Sequence, residues 1–375
     1  MVRPKQLLPF VIIGLLVLVG ALTLNGPASA APRGSATVLE PPAQQTEQYC
    51  LTCHGQPDLK ITLPSGEDLS LYVAPDHLKS SVHSSAGIEC EACHTDIKTY
   101  PHPAINYQTR RELSRAYYQA CQKCHSANYE KAQDSMHAQA AADGNLAAAI
   151  CTDCHGVHDV QAPQQPRSKI SQTCSQCHQE IFNSYQASIH GAALINENNP
   201  DVPVCTDCHG VHNIGDPRTA QFRTAQPELC AGCHADPQRM SQYGLSTDVY
   251  RLYQTSWHGV DISVYKANWP TIWHESAVCT DCHGIHDILA TENPNSSVNP
   301  NQLLATCQKC HQGAGPNWTS AWTGHNQIDP RRTPWLYAVD RFYIQFAQAV
   351  LWLCLIYVGL QIIHAIVDRV RRNLK

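Results

Sequence analysis

Residues 151–160 read CTDCHGVHDV, and nearly the same ten residues return as CTDCHGVHNI at 205–214 and CTDCHGIHDI at 279–288. Each opens on C-x-x-C-H, the attachment signature of c-type haem, in which two thiols bond the vinyl groups and the adjacent His ligates the iron. A second His lies three residues further on (His158, His212, His286). It cannot take the opposite face of the same iron, because axial ligands approach from opposite sides. It is placed to reach the iron of a neighbouring haem.

The signature occurs nine times. The thiol pairs are Cys50 and Cys53, Cys90 and Cys93, Cys121 and Cys124, Cys151 and Cys154, Cys174 and Cys177, Cys205 and Cys208, Cys230 and Cys233, Cys279 and Cys282, and Cys307 and Cys310. The adjoining His are His54, His94, His125, His155, His178, His209, His234, His283 and His311. Only Cys354 of the 19 cysteines is left over. Zinc would combine C-x-x-C pairs into four-cysteine sites, which leaves one pair unused and does not explain a His after every pair. Disulfides do not require that His either. The sequence therefore predicts nine covalently bound c-type haems.

The chain repeats around these motifs. A solitary motif at Cys50 precedes four units. Each runs from a Ser-x-His through a first motif and a further His to a second motif. The Ser-x-His residues are His83, His137, His190 and His258, and the further ones are His102, His158, His212 and His286. First motifs are 61, 54 and 74 residues apart, so the last interval carries an insertion of about 20 residues, which the sequence places around Gly259–Ser276.

Those eight His, with His325 after the last motif, make nine, the number of irons. Methionine is scarce, with Met136 and Met240 alone beyond the initiator. Bis-His ligation throughout is expected, with low potentials because Met is missing. Spacing does not decide which His serves which iron. His77, His274 and His364 stay outside the set.

Of five Phe, only Phe182 and Phe222 lie between the terminal apolar runs, so the haems themselves are expected to supply core volume. Short helices are predicted at 111–119 and 179–188, with Pro- and Asn-rich loops between motifs and no sustained alternation for sheet. The fold class is mainly α and coil: a multihaem cytochrome c with haem-stapled repeats plus one C-terminal transmembrane helix.

The expected organisation is a signal peptide at 1–30, a linker at 31–49, the nine-haem domain at 50–329, a juxtamembrane segment at 330–341, a transmembrane helix at 342–367 and a cytoplasmic tail at 368–375. Arg3 and Lys5 before an apolar run, and Ala28-Ser29-Ala30 after it, read as an export signal. Phe342–Val367 has 26 residues without formal charge, about 39 Å as a helix, enough for a hydrocarbon core of about 30 Å. Arg369, Arg371, Arg372 and Lys375 suit its cytoplasmic end. The polar Gln345, Gln348, Gln361 and His364 within the span suggest partner helices. The localisation expected is a single-pass protein of the cytoplasmic membrane, its haem domain on the extracytoplasmic (periplasmic) side. The charge is −5, from 26 basic and 31 acidic side chains, and propionates make it more acidic still. No nucleic-acid binding is indicated, and an electrostatic partner would present a basic face.

The CTDCHGVH-type stretches, the Ser-x-His before them and His102 in a PHP segment resemble the extracytoplasmic multihaem c-type cytochromes of doubled C-x-x-C-H, class III-like units. The resemblance covers Cys50 to His325. It implies electron relay between a membrane partner, an integral cytochrome b or quinone-linked complex, and an extracytoplasmic redox protein. Four-haem quinol oxidisers of this kind usually carry an N-terminal anchor, whereas the clear anchor here is C-terminal, which favours a cytochrome b partner. Two alternatives stand beside the relay. One is a reductase or oxidase of a small nitrogen or sulfur species at an open haem, with His77 or His274 as acid–base group, although the C-x-x-C-K of many such reductases is missing. The other is a structural conductive filament. Intact mass and a pyridine haemochrome assay should count nine haems per mature chain, and eight or fewer would mean that a motif is unused.

Overall fold

The Ser-x-His sequences begin helices. In the computed structural model, Ser81, Ser135, Ser188 and Ser256 are N-caps of the helices Val82–Ser85, Met136–Ala142, Ile189–Glu197 and Trp257–Asn268. Each Ser hydroxyl accepts a backbone N–H of the first turn, which satisfies a donor that has no partner inside the helix. The His two residues after the cap is thereby fixed at the helix start. The structure describes residues 47–98, 100–162, 166–321, 325, 328–331 and 333–374, all within the unit Thr46–Lys375. The signal peptide and most of the linker expected from the sequence lie outside the described residues.

First and second motifs use helix differently. First motifs start short helices, Cys90–Cys93, Cys151–His155, Cys205–His209 and Cys279–His283. In the last three the motif Asp (Asp153, Asp207, Asp281) accepts the backbone N–H of the residue before the first Cys, at 2.6–2.7 Å. Second motifs lie at the C-terminal ends of helices such as Ser168–Ser175 and Ala220–His234, as does the solitary motif on Glu47–His54.

Repeats are tied to one another by recurring bonds. The backbone N–H of Val82, Met136 and Ile189 donates to the carbonyl of Val160, Ile214 and Ile288, each in the following unit. The same Asp that caps a first-motif helix is gripped by an Arg of the preceding unit: Arg111 on Asp153, Arg167 on Asp207, Arg223 on Asp281. Arg223 donates to both Asp281 oxygens (3.1 and 2.8 Å) and to the carbonyls of His274 and Ser276. The first motif of unit one reads CEACH and lacks this Asp, and no complete unit precedes it to supply the Arg.

Apolar packing is thin. Eleven apolar residues are buried among those described, and the one compact cluster joins Tyr185, Leu194 and Val204 with Phe182, Ile170, Ile195 and Val202. That is too few to offset the conformational entropy of a chain this long. Haem as core fits this deficit.

Helices form near the predicted positions, at Arg110–Tyr117, continued as 3₁₀ to Lys123, and at Gln179–Ala187. A hairpin of Lys60–Thr62 and Asp68–Ser70 was not expected. It turns at Gly66, whose φ of 86° suits glycine, and is closed by a Lys60–Asp68 pair at 2.6 Å.

The insertion of unit four is also placed differently. From motif His to Ser-x-His the interval grows from 10 residues (His178 to Ser188) to 22 (His234 to Ser256). From Ser-x-His to the next motif it grows only from 17 (Ser188 to Cys205) to 23 (Ser256 to Cys279). Most of the extra chain is therefore the Pro237–Met240 and Ser241–Tyr243 segment, and not 259–276.

The C-terminal helix runs from Pro334 to Asn373, 40 residues, with none of its apolar window buried. It is a candidate membrane span, at about 60 Å long enough to project from both sides of a core of about 30 Å. Helix thus continues through both flanks of 342–367, started by Pro334 at its first turn, where a missing N–H costs nothing.

Arg223→Met leaves Asp281 partly buried without its guanidinium and should lower the unfolding free energy by about 1–3 kcal/mol. Arg218→Ala, in the exposed pair with Asp216, should leave it unchanged. Denaturant titration followed by circular dichroism compares the two at equal haem content, and equal effects would remove the clamp from the account.

Candidate haem-binding sites

In each motif helix the two Cys are three residues apart and so share a face, with His next in sequence. Beyond it in the CTDCH repeats stands a glycine with positive φ: Gly156 at 75°, Gly210 at 83° and Gly284 at 84°. The positive φ strains any side chain here, and a Cβ at Gly156 would also displace the Asp159 carboxylate, 2.6 Å away. That turn brings the second His back toward other units.

The second His do not approach their own motifs. Nine imidazole pairs form, each joining one motif His to one His of the expected second set. They are His54 with His102, His94 with His158, His125 with His83, His155 with His212, His178 with His137, His209 with His286, His234 with His190, His283 with His325, and His311 with His258. Ring centroids are 6.1–6.3 Å apart in all nine. Two nitrogen–metal bonds of about 2.0–2.1 Å, with a ring radius at each end, span about 6 Å. The gap matches one six-coordinate iron.

The pairing follows a rule. Second-motif His face the Ser-x-His of their own unit. The solitary and first-motif His face the His after the first motif of the unit that follows, and the last of these faces His325. The stagger interleaves the units.

Other features fit a bound macrocycle. A cavity of about 490 Å³ beside His94 is lined by Cys93, Asp96, Tyr107, Tyr117 and Lys123. The His94 ring lies tilted against Tyr117 at 5.1 Å, while its Nδ1 is buried with no hydrogen-bond partner among the described residues. His54 Nδ1 lies 2.7 Å from the Leu71 carbonyl, which fixes the proton there and leaves Nε2 free to ligate. Burial pushes His94, His158, His234, His283 and His325 below the ordinary imidazole range and His190 down to about 4, which favours the neutral, ligating form. The donor sets are pairs: no three His, Cys, Asp or Glu converge as a metal cluster among the described residues.

Successive motifs are neighbours throughout. Within units, Cys93 is in electrostatic reach of Cys121 and Cys124, Cys154 of Cys177, Cys208 of Cys230 and Cys233, and Cys282 of Cys307 and Cys310. Between units, Cys121 is in electrostatic reach of Cys151, Cys174 of Cys205, and Cys230 of Cys279. At the start of the series, His54 is in electrostatic reach of His94 and His158. All eight junctions between nine motifs are accounted for, in sequence order.

Of the histidines outside the pairs, His274 bonds Asp261 at 2.6 Å and stacks on Tyr265 at 3.4 Å, while His77 is exposed on the helix Pro75–Ser80. His364 lies 3.6 Å from Asp368 on the C-terminal helix. Sequence reasoning missed the Arg–Asp clamps. Their only linear trace is an Asp in three first motifs and not in the fourth, with Arg partners at unequal separations. It also missed the hydroxyls of Tyr185 and Tyr253, which donate to the carbonyls of Pro203 and Ala277, each two residues before a motif.

The cytochrome c3 family profile matches residues 82–179 and again 151–235, two windows that overlap on one CTDCHGVH stretch. Multiheme cytochrome MtrA of Shewanella baltica is 24% identical over 272 residues, 70% of this chain and 75% of that protein. With paired imidazoles at every motif and these similarities, the chain is a multihaem c-type cytochrome, an electron-transfer protein built from cytochrome c3-like repeats that bind haem covalently.

Proposed function

We propose that this protein is a nine-haem, membrane-anchored relay. It would exchange electrons with a membrane partner, an integral cytochrome b or quinone-linked complex, at one end and with an extracytoplasmic redox protein at the other. The observation that carries the reading is the set of nine imidazole pairs at one constant separation, on motifs that neighbour one another in chain order. Haem held there supplies reversible one-electron chemistry at iron.

The chain's own residues do the rest. The 18 motif thiols would hold the haems covalently, and each pair of imidazoles would ligate one iron. A site closed in this way favours relay over substrate turnover, which needs an open position. The Ser caps, the glycine turns and the Arg–Asp clamps position the helices and turns that carry most of these imidazoles.

The helix Pro334–Asn373 supports a single-pass anchor, with Arg371, Arg372 and Lys375 on the cytoplasmic side and the repeats on the opposite one. Gln345, Gln348, Gln361 and His364 are exposed on it and suit a helical partner better than lipid. The signal peptide belongs to the same reading, since it directs the motifs out of the cytoplasm.

Two experiments test this. His286→Ala should convert one haem to high spin, seen by electron paramagnetic resonance, and a crystal structure should place the open iron on the haem of Cys205 and Cys208. An open iron on the haem of Cys279 and Cys282 would sink the pairing. Cutting the chain before Pro334 should leave haem spectra and dithionite reduction unchanged while abolishing reduction by quinol in membranes. Undiminished quinol reduction would reduce the helix to a tether and remove the partner.

A further inference from the structure

All seven Trp of the chain lie between 257 and 352, and none occurs in units one to three. Three of them, Trp257, Trp269 and Trp273, belong to the helix Trp257–Asn268 of unit four and the loop that follows it. Trp257 is 90% exposed, and Val260, Val264, Trp269, Ile272 and Trp273 are about half exposed.

The helix explains why Trp257, Val260 and Val264 are surplus to the fold, whereas Trp273 lies under the Arg223 guanidinium and Trp269 packs on Tyr265. At about 100° per residue, Trp257, Val260 and Val264 fall within about 60° of one another, while Ile262 points the other way and is buried. The inner face is therefore already satisfied. At the same offsets from the capping Ser, unit one has Val82, Ser85 and Glu89, unit two Met136, Gln139 and Asp143, and unit three Ile189, Ala192 and Asn196. Only unit four is apolar at all three positions. Asp261, beside this face, is paired with His274.

We infer that this face seats in the headgroup–acyl boundary of the bilayer that the helix Pro334–Asn373 crosses. The inference rests on the anchor reading above. Unit four is the unit that the anchor holds nearest in chain, since only 22 residues separate His311 from Pro334. The span opens with the same chemistry, Trp335 and Tyr337, and Trp is the side chain whose apolar body and single N–H suit that boundary. Seating the face there would hold the His311–His258 site, where Trp318 also packs against His311 at 4.9 Å, close to the membrane surface.

The test uses full-length, haem-loaded protein in phosphatidylethanolamine–phosphatidylglycerol liposomes doped with a diazirine phospholipid. After illumination, adducts are mapped by mass spectrometry. Adducts are expected on peptides covering 257–273 as well as on the C-terminal helix. In W257S, and further in W257S/W269S/W273S, labelling of 257–273 should fall at least fivefold with helix labelling and haem content unchanged. Labelling of the helix alone would overturn the inference and leave the anchor standing, the result expected if a protein covers the face instead. No labelling of either segment would overturn both.

Discussion

Nine pairs of imidazoles stand at 6.1–6.3 Å, and nearly every other feature of the structure serves that distance. The partners are far apart in sequence, as with His209 and His286 or His94 and His158. An iron between them closes a long loop of chain, and closing such loops removes unfolded-state entropy as other cross-links do. Because the apolar core is sparse, such closures, with haem at their centres as proposed, would carry the fold. The same groups would then be the redox centres, so stability and function would share one set of residues.

Stagger makes the closures cooperative. In units one to three the first-motif His faces a His of the following unit, so each of these units completes only one of its two sites. The backbone bonds from Val82, Met136 and Ile189, and the clamps of Arg111, Arg167 and Arg223, cross the same boundaries. Nearest-neighbour coupling of this kind is the logic of a solenoid. Here it also sets the order of the redox sites, because motifs that are adjacent in sequence become adjacent in space.

The polar bonds do work that haem cannot. Ser188 and Ser256 cap their helices, Asp207 and Asp281 hold theirs, and Gly210 and Gly284 turn the chain toward the preceding unit. These local devices restrict where each imidazole can point, and neutral imidazoles held in place lose less entropy on ligation. Exposed charge pairs such as Arg251 with Asp248 contribute little by comparison, since water screens them.

Much of this was legible in linear order. The C-x-x-C-H motifs, the doubling into units, the nine second histidines and the apolar run of 342–367 are local or periodic, and local chemistry dictates them. Other features were not legible. The partner of His158 could not be read, because several motif His lie at comparable chain distances and only the Gly156 turn and the unit stacking select His94. The extra chain of unit four was misplaced for a different reason: its Trp-rich stretch stands out in composition, but counting from His234 to Ser256 puts most of the added residues at 235–255. The Arg clamps escaped because Arg111, Arg167 and Arg223 sit at unequal separations from their Asp, and a salt bridge answers to distance in space, which sequence separation does not determine. Residue chemistry by itself named the candidate groups, and tertiary structure decided which of them face one another, because an imidazole reaches only as far as the backbone beneath it is carried.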